Sequence, residues 1–270
     1  MCLLGLIGNL TLAQTDINLD PETGCRLSVG FDKKIVKGLH ISFSEELRLD
    51  NNFSSLDRFQ TSLGATYKVN DYLKMGVGYA LINGYSDSLA SFKSPRHRLY
   101  IDITGSYRLG DWRIALRERI QTTHRTDNFN TYQNTENVWV LKSRLKVIYK
   151  GMKRLEPYGS MEVSNMLNAP VITATYKEAT DTWVSSETGL AKNEAGWFLD
   201  GFNGMYVSRV RATLGASYRL DRRNTIEVYL MGDYNIEKEV DANAEGTKLK
   251  AYTRKTGFVG WIGANYSYSF

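Results

Sequence analysis

Two residues with the types that nucleophilic catalysis uses, His40 and Ser42, stand two positions apart. In a β-strand this spacing places both side chains on one face, where the imidazole could take the proton of the hydroxyl. The pair directly follows a short turn, and it shares its face with Glu46 and Arg48. The hydroxyl would therefore face a polar interior and not an apolar substrate. We expect that the protein is not an enzyme.

The other groups that could do chemistry are isolated. His97 and His124 have no clustered partner in the sequence, and Cys2 and Cys25 are the only cysteines, without the spacing of a zinc site. No glycine-rich phosphate loop is present. We expect no metal ion and no cofactor.

A larger group of charged residues occupies alternate positions of proposed strands, so that its members share one face. The basic members are Arg98, Arg108, Arg113, Arg117, Arg119, Lys142, Arg144, Arg209 and Arg211, and the acidic members are Glu46, Asp102, Glu162 and Glu227. If this face lines the lumen of a closed sheet, the excess of cations attracts anions and favours an anion-preferring pore. The alternative is that the arginines pair with acids and fill a barrel too narrow to conduct. Since the basic residues follow strand register and form no separate patch, we expect no nucleic-acid partner.

The elements that must position these residues are strands. Tyrosine (17) and glycine (23) are abundant and proline (4) is scarce, which favours strands and tight turns. No apolar run reaches the roughly 18 residues of a transmembrane helix. Alternation indicates about eleven strands, near 25–35, 39–49, 58–69, 72–85, 96–109, 112–123, 137–149, 155–165, 204–220, 225–236 and 257–270.

The connections alternate between short and long. Short turns are predicted at 36–38, 70–71, 110–111, 151–154 and 221–224, and long polar loops at 50–57, 86–95, 124–136, 166–203 and 237–256. Keeping all short turns at one end is typical of an antiparallel, up-and-down transmembrane β-barrel with its apolar face outward. Because single-chain bacterial barrels have even strand counts, we expect about twelve strands, within a range of ten to fourteen. The missing strand would lie in 14–24 or 166–203, unless the N-terminal segment occupies the lumen.

Aromatic residues indicate the same membrane placement. Tyrosine and tryptophan gather beside the short turns, where an interfacial girdle would lie. The last strand ends on Tyr266, Tyr268 and Phe270 in strict alternation. A terminal phenylalanine resembles the signal by which the insertion machinery recognises outer-membrane barrels. We therefore predict the bacterial outer membrane as the location, with its lipids and that machinery as partners.

The domain organisation follows. Residues 1–13 resemble a signal peptide, a truncated one if its start lies upstream of Met1, since no basic region precedes the apolar stretch; residues 14–270 are expected to form one barrel domain. An ordinary buried first strand is the alternative for 1–13. The long outer loop 166–203 carries Tyr176, Trp183 and Trp197, which could stack on sugars or pack within a local hairpin.

Two sequence features carry a resemblance to a known family. They are the opening hairpin "LSVGFDKKIVKGLHISFSEELRLDNN" and the recurring "YRL"-turn units. In these the chain resembles a family of Bacteroidota outer-membrane β-barrels catalogued as a domain of unknown function. The resemblance implies the fold and the compartment, and no chemistry.

Three functional hypotheses remain open from the sequence. The first is a narrow pore for small, preferentially anionic solutes. The second is a non-conducting barrel that serves as an accessory subunit of a larger outer-membrane complex; it requires a lumen closed by ion pairs and an apolar or aromatic patch in the outer loops. The third, a lipid-modifying enzyme, requires His40 and Ser42 to face lipid near the outer leaflet.

Overall fold

The computed structural model describes residues 14–173, 175–177, 182–184, 198–245 and 249–270, and these form an all-β protein. No helix in this part of the chain is long and apolar enough to cross a membrane. The strands are β1 Gln14–Asn18, β2 Glu22–Val36, β3 Leu39–Asp50, β4 Ser55–Lys68, β5 Leu73–Ser86, β6 Ser91–Phe92, β7 Arg96–Leu109, β8 Trp112–Arg125, β9 Asn137–Tyr149, β10 Leu155–Thr173, β11 Thr175–Lys177, β12 Thr182–Val184, β13 Phe198–Arg219, β14 Asn224–Ala242 and β15 Leu249–Ser269.

Eleven of the described strands close into a barrel, which confirms the predicted fold class. Consecutive barrel strands pair antiparallel; the short β6 lies between β5 and β7 in the sequence, and β11 and β12, which form a separate sheet, lie between β10 and β13. The barrel closes through a parallel pairing of β15 with β2, from Val259↔Glu22 to Ser269↔Asp32. An odd number of alternating strands leaves the first and the last parallel, so the favoured count of twelve is corrected to eleven.

The first strand, β1, does not supply the twelfth barrel strand that an even count would require. β1 pairs in parallel with β15 from Gln14↔Tyr252 to Asn18↔Thr256, just beyond the stretch of β15 that pairs with β2. It therefore continues β2 along the same edge of β15. A strand does lie within 14–24, but it adds no position around the barrel and does not occupy the lumen.

The predicted short turns all gather at one end, which we call the short-turn end; the other is the long-loop end. Strands β7 and β9 have the bounds that alternation predicted. Gly38 and Gly110, in two of the short turns, have φ of +88° and +58°, values that glycine adopts without a steric penalty.

Two of the predicted long loops are partly strand. β10 extends into 166–203 as far as Thr173 and β13 begins there at Phe198, and their ladder carries register shifts that begin at Ser164/Asn165. Each shift moves successive side chains to the other face, so the period of two that identifies a strand is lost. β14 and β15 likewise extend into 237–256, where the sequence is polar and lacks the alternation used for prediction.

The two faces of the barrel have opposite chemistry. Leu214 and Leu230 on the outer face are 72% and 62% exposed, whereas the inward Glu162 and Asp233 are 4% and 3% exposed. Near the short-turn end, the outer face carries stacked Tyr72 and Tyr107 and the tilted pair Trp112 and Tyr149. An outward apolar band with aromatic residues at its edge is the pattern of a barrel surrounded by lipid.

Two carboxylates depart from this pattern. Glu45 and Glu118 have the strand parity of the outer face. Glu45 accepts a hydrogen bond from the Thr61 hydroxyl at 2.9 Å, and Glu118 accepts one from the Ser143 hydroxyl at 2.6 Å. Each carboxylate thus has a hydroxyl donor beside it on the outer surface.

Candidate functional site

The lumen contains a dense belt of charge at mid-height. Strand register places all nine predicted basic residues on the inward face. We call the central group the lumen belt; it comprises Arg98, Arg117, Arg119, Lys142, Arg144, Arg209 and Arg211, together with Asp102, Glu162 and Asp233. Asp102, Glu162 and Asp233 are buried. The belt is the candidate functional site.

Cations stand directly opposite cations in this belt. Arg117 is the Cα partner of Arg144, and Arg119 is the partner of Lys142. Like charges in directly opposed positions of an antiparallel pair destabilise the sheet. Sequence reasoning placed these residues on one face but did not pair them, because pairing requires the register between strands.

One buried carboxylate on β10 joins an arginine of β8 to an arginine of β13 along the lumen wall. Glu162 accepts hydrogen bonds from Arg117 at 2.9 Å and from Arg209 at 3.1 Å, one on each of its oxygens. Arg209 also donates to the Ser164 hydroxyl at 3.3 Å. Charge-assisted bonds of this kind hold the guanidinium groups in fixed positions.

A second and a third carboxylate act similarly. Asp233 accepts a bidentate contact from Arg211, at 2.5 and 2.7 Å, and lies 3.5 Å from Arg26. Asp102 accepts two bonds from Arg119, at 2.5 and 3.1 Å. The Arg119 guanidinium also lies over the Tyr100 ring, 3.8 Å from its centroid.

Three cations of the belt have no such carboxylate. Arg98 donates to the Thr123 hydroxyl at 3.1 Å. Among the described residues, no carboxylate oxygen lies within 4.0 Å of Arg98, Lys142 or Arg144. The belt therefore keeps uncompensated positive charge, which mobile anions would neutralise.

The remaining predicted charges lie outside the lumen belt. Glu227 lies 3.6 Å from Lys146 and accepts a bond from Asn265 at 2.7 Å. Glu46 pairs with Arg48, two residues along the same strand. Arg108 and Arg113 are opposed partners near the turn and line a separate cavity.

The long-loop end is covered by apolar packing. Leu199, Val240 and Ala242 form a buried cluster against which Tyr132 and Phe202 pack. The β8–β9 loop is held there because its Asn130 and Gln133 side chains donate to the Ala242 carbonyl, at 3.0 and 2.9 Å. A cavity of about 610 Å³ lies at this end, lined among others by Arg96, Arg125 and Glu237.

The pair His40 and Ser42 lies on the inward face near the short-turn end. His40 Nδ1 lies 2.8 Å from Asp32 on the neighbouring strand, which would orient the ring as in a nucleophilic site. Among the described contacts, however, no hydrogen bond joins His40 to Ser42. Facing inward and away from the long-loop end, the pair does not have the position that the lipid-modifying hypothesis requires.

The two other histidines are not isolated in the structure. His97 and His124 are opposed partners on the outer face, with ring centroids 6.5 Å apart. The Tyr79 hydroxyl lies 2.6 Å from His97, and the Asn137 side chain lies 3.2 Å from His124. Sequence reasoning missed this cluster because it joins residues on four strands. Within the described chain, no group of three or more His, Cys, Asp and Glu side chains could hold a metal ion.

The remaining predicted residues lie at the two ends. Tyr176 and Trp183 are paired positions of the small β11–β12 sheet, as the predicted local hairpin requires. Trp197 and the proposed signal peptide 1–13 lie outside the described residues. Phe270 follows β15 and is exposed; its backbone N–H donates to the Asp32 carbonyl at 2.9 Å.

Comparison with known proteins gave one family and distant structural neighbours. A family model described as "Protein of unknown function (DUF2490)" matches residues 26–243. No curated protein matches the sequence. An anion-selective porin from Comamonas acidovorans is similar at 12% identity and a TM-score of 0.34, over 88% of this chain and 58% of the porin. OmpT (in-vitro folded), an outer membrane protein of Vibrio cholerae, is similar at 13% identity and a TM-score of 0.33, over 86% and 61%. The chain spans about three fifths of either protein.

Proposed function

The chain belongs to the DUF2490 family, and we propose that it is a bacterial outer-membrane β-barrel that passes small anions through a narrow, basic lumen. The apolar outer face and the aromatic residues at its edge support the membrane placement. Contact with outer-membrane lipids and recognition of Phe270 by the insertion machinery belong to the same proposal, as does the absence of enzymatic activity.

The observation that carries the proposal is the cation excess of the lumen belt. Arg117 opposes Arg144 and Arg119 opposes Lys142, although such pairs weaken a sheet. Among the described residues, Arg98, Lys142 and Arg144 form no ion pair within 4.0 Å, and the seven cations of the belt face only three carboxylates. A low-dielectric wall focuses the field of these groups into the lumen, which raises the local concentration of anions and lowers that of cations.

The belt also supplies the weak, repeated binding that conduction requires. The carboxylates hold Arg117, Arg209 and Arg211 in place, so an entering anion meets fixed donors. Donors on neighbouring strands of the lumen wall allow the anion to move from one to the next. Several sites that each bind weakly let an ion enter and also leave.

A specific pair of observations favours a second function, a non-conducting accessory barrel. Glu162 pairs with both Arg117 and Arg209 along the lumen wall, and the cluster of Leu199, Val240 and Ala242 lies at the long-loop end. Ion pairs inside the lumen are the first feature that this hypothesis requires, and the apolar cluster lies in the segments that would carry the second, a docking patch. In that case the charge would serve internal packing, and the loops would contact a larger membrane complex.

Chloride efflux from proteoliposomes tests the proposal. Vesicles with refolded protein should release trapped chloride faster than empty vesicles and faster than they release potassium. The variant Arg144→Glu should lose this preference, whereas Arg222→Glu, on an exposed turn, should retain it. Vesicles that hold a correctly folded barrel and release neither ion would favour the accessory barrel.

A further inference from the structure

A second basic site lies at the short-turn end of the lumen, apart from the lumen belt. A cavity of about 960 Å³ opens there, and seven cationic residues but only two acidic residues line it. We call it the basic vestibule; the argument uses Lys68, Lys74, Arg108, Arg113 and Arg219. With so few carboxylates, pairing within the protein cannot neutralise its charge.

Two pairs of directly opposed cations face this cavity. Lys68 is the Cα partner of Lys74, and Arg108 is the partner of Arg113. Each pair places like charges at neighbouring positions, which destabilises a sheet. A bound anion would relieve the repulsion in both pairs, and the exposed cations leave the cavity open to such a ligand.

The two carboxylates of the vestibule are already engaged. Glu156 pairs with Lys150 and lies 3.1 Å from Arg219. Asp71 pairs with Lys68, whose hydrogen bond and charge hold the pKa of Asp71 below its ordinary value. Both acids are therefore already bound to cations of the vestibule. Lys74, Arg108 and Arg113 have no carboxylate oxygen within 4.0 Å in the described part of the chain.

The two free arginines are held in position by neutral acceptors. Arg108 Nε donates to the Gly110 carbonyl at 3.0 Å, and Arg113 Nη2 donates to the Ser106 hydroxyl at 3.2 Å. Each guanidinium keeps further N–H groups for a ligand. The N–H donors of a guanidinium group lie in one plane and match the spacing of phosphate oxygens. Two adjacent guanidinium groups with an ammonium group therefore match a multiply charged phosphate better than a halide.

We propose that the basic vestibule binds phosphate-bearing anions. The inference rests on the proposed function in one respect, that the short-turn end of the barrel lies at a membrane surface. It adds the class of ligand that would bind in the basic vestibule. Phosphate could reach the site in a soluble phosphorylated compound or in a lipid headgroup, and the cavity is larger than inorganic phosphate alone. The chemistry that recognises both is the same.

Isothermal titration calorimetry on the refolded, detergent-solubilised full chain tests the inference. Pyrophosphate should bind, and the double variant Arg108→Gln, Arg113→Gln should weaken its affinity by about tenfold or more, since each arginine removes charge-assisted bonds. The matched variant Lys37→Gln, Arg222→Gln removes two cations from exposed turns at the same end and should keep the wild-type affinity. Heat modifiability on gels shows whether each variant is folded.

The outcomes separate this inference from the pore. Pyrophosphate binding that the double variant leaves unchanged, or no binding by wild type, overturns the inference even if the barrel conducts chloride. Binding that the double variant abolishes supports it even if no conductance is found. Competition identifies the source: a short-chain phosphatidate that displaces pyrophosphate better than glycerol phosphate indicates a lipid headgroup, and equal displacement indicates a soluble phosphorylated compound.

Discussion

Arg117 of β8 and Arg144 of β9 are directly opposed Cα partners, and both side chains point into the barrel. Only Arg117 has a carboxylate, Glu162, within hydrogen-bonding distance. Arg117 is thus held by an ion pair, whereas Arg144, which lies opposite Glu162 in the β9–β10 ladder, forms none within 4.0 Å among the described residues. This relationship gives the lumen its proposed selectivity.

Reversing the free member of the pair should reduce anion selectivity. Arg144→Glu changes the belt by two charges and provides Arg117 with a second acid, so the lumen attracts fewer anions. We expect the chloride-to-potassium permeability ratio to fall toward one, as measured by the reversal potential in a salt gradient. An unchanged ratio, with Arg222→Glu as the control, would remove the belt from the selectivity mechanism.

Removing the shared acid should destabilise the barrel. Glu162→Gln keeps the shape of the side chain but leaves Arg117 and Arg209 buried without their carboxylate. Breaking a buried ion pair costs about 3 kcal/mol. Urea unfolding in vesicles or detergent should report that loss.

The control is an ion pair near the long-loop end. Glu239 pairs with Lys255 on the extended β14–β15 hairpin, where both side chains are partly exposed. Glu239→Gln should lower the free energy of unfolding by only about 0–1 kcal/mol. Equal effects of the two substitutions would mean that Glu162 is solvated and not part of a packed network.

A glycine beneath Tyr100 should resist substitution. A Cβ at Gly78 would lie 2.2 Å from the Tyr100 hydroxyl oxygen, and Arg119 covers the other face of that ring. Gly78→Ala should therefore lower the free energy of unfolding by about 1–3 kcal/mol. At Gly105 a Cβ would meet no atom within 4 Å, so Gly105→Ala should cost far less in the same assay.

The turn between β13 and β14 should depend on pH. The Asp221 carboxylate accepts hydrogen bonds from the backbone N–H groups of Arg223 and Asn224, at 2.7 and 2.8 Å, which hold its pKa below the ordinary 3.8. For a lowered pKa, the stabilisation is present above the unfolded value and is lost as pH falls through the folded value. Exchange of the Asn224 amide, corrected for intrinsic rate, should accelerate in that acidic range. In Asp221→Ala it should be fast throughout, and a pH-independent wild type would contradict this role.

Much of the fold follows from the alternation of apolar and polar side chains at every second residue. Short turns and alternating faces fix the ends of β7 and β9, and an apolar exterior distinguishes the fold from a soluble sandwich. Membership of a family of unknown function, predicted from the opening hairpin and the "YRL" units, is confirmed. An origin in Bacteroidota stays a prediction.

The rest depends on relations between strands. Alternation indicates about eleven strands, but it does not report the direction of pairing, so the parallel β15–β2 closure was not predicted and the expectation of an even count moved the prediction to twelve. Bulges near Asn165 and Ala169 remove the period that would have revealed the long ends of β10 and β13. The opposed pairs Arg117 with Arg144 and Arg108 with Arg113 can be identified only from the register between strands.

The most direct test of the account is the reversal potential of single channels formed by wild-type protein in a planar bilayer under a potassium chloride gradient. The account predicts stable conductance steps and a reversal potential with the sign of the chloride equilibrium potential. A folded, heat-modifiable barrel that never conducts, or one whose reversal potential has the sign of potassium, would contradict it.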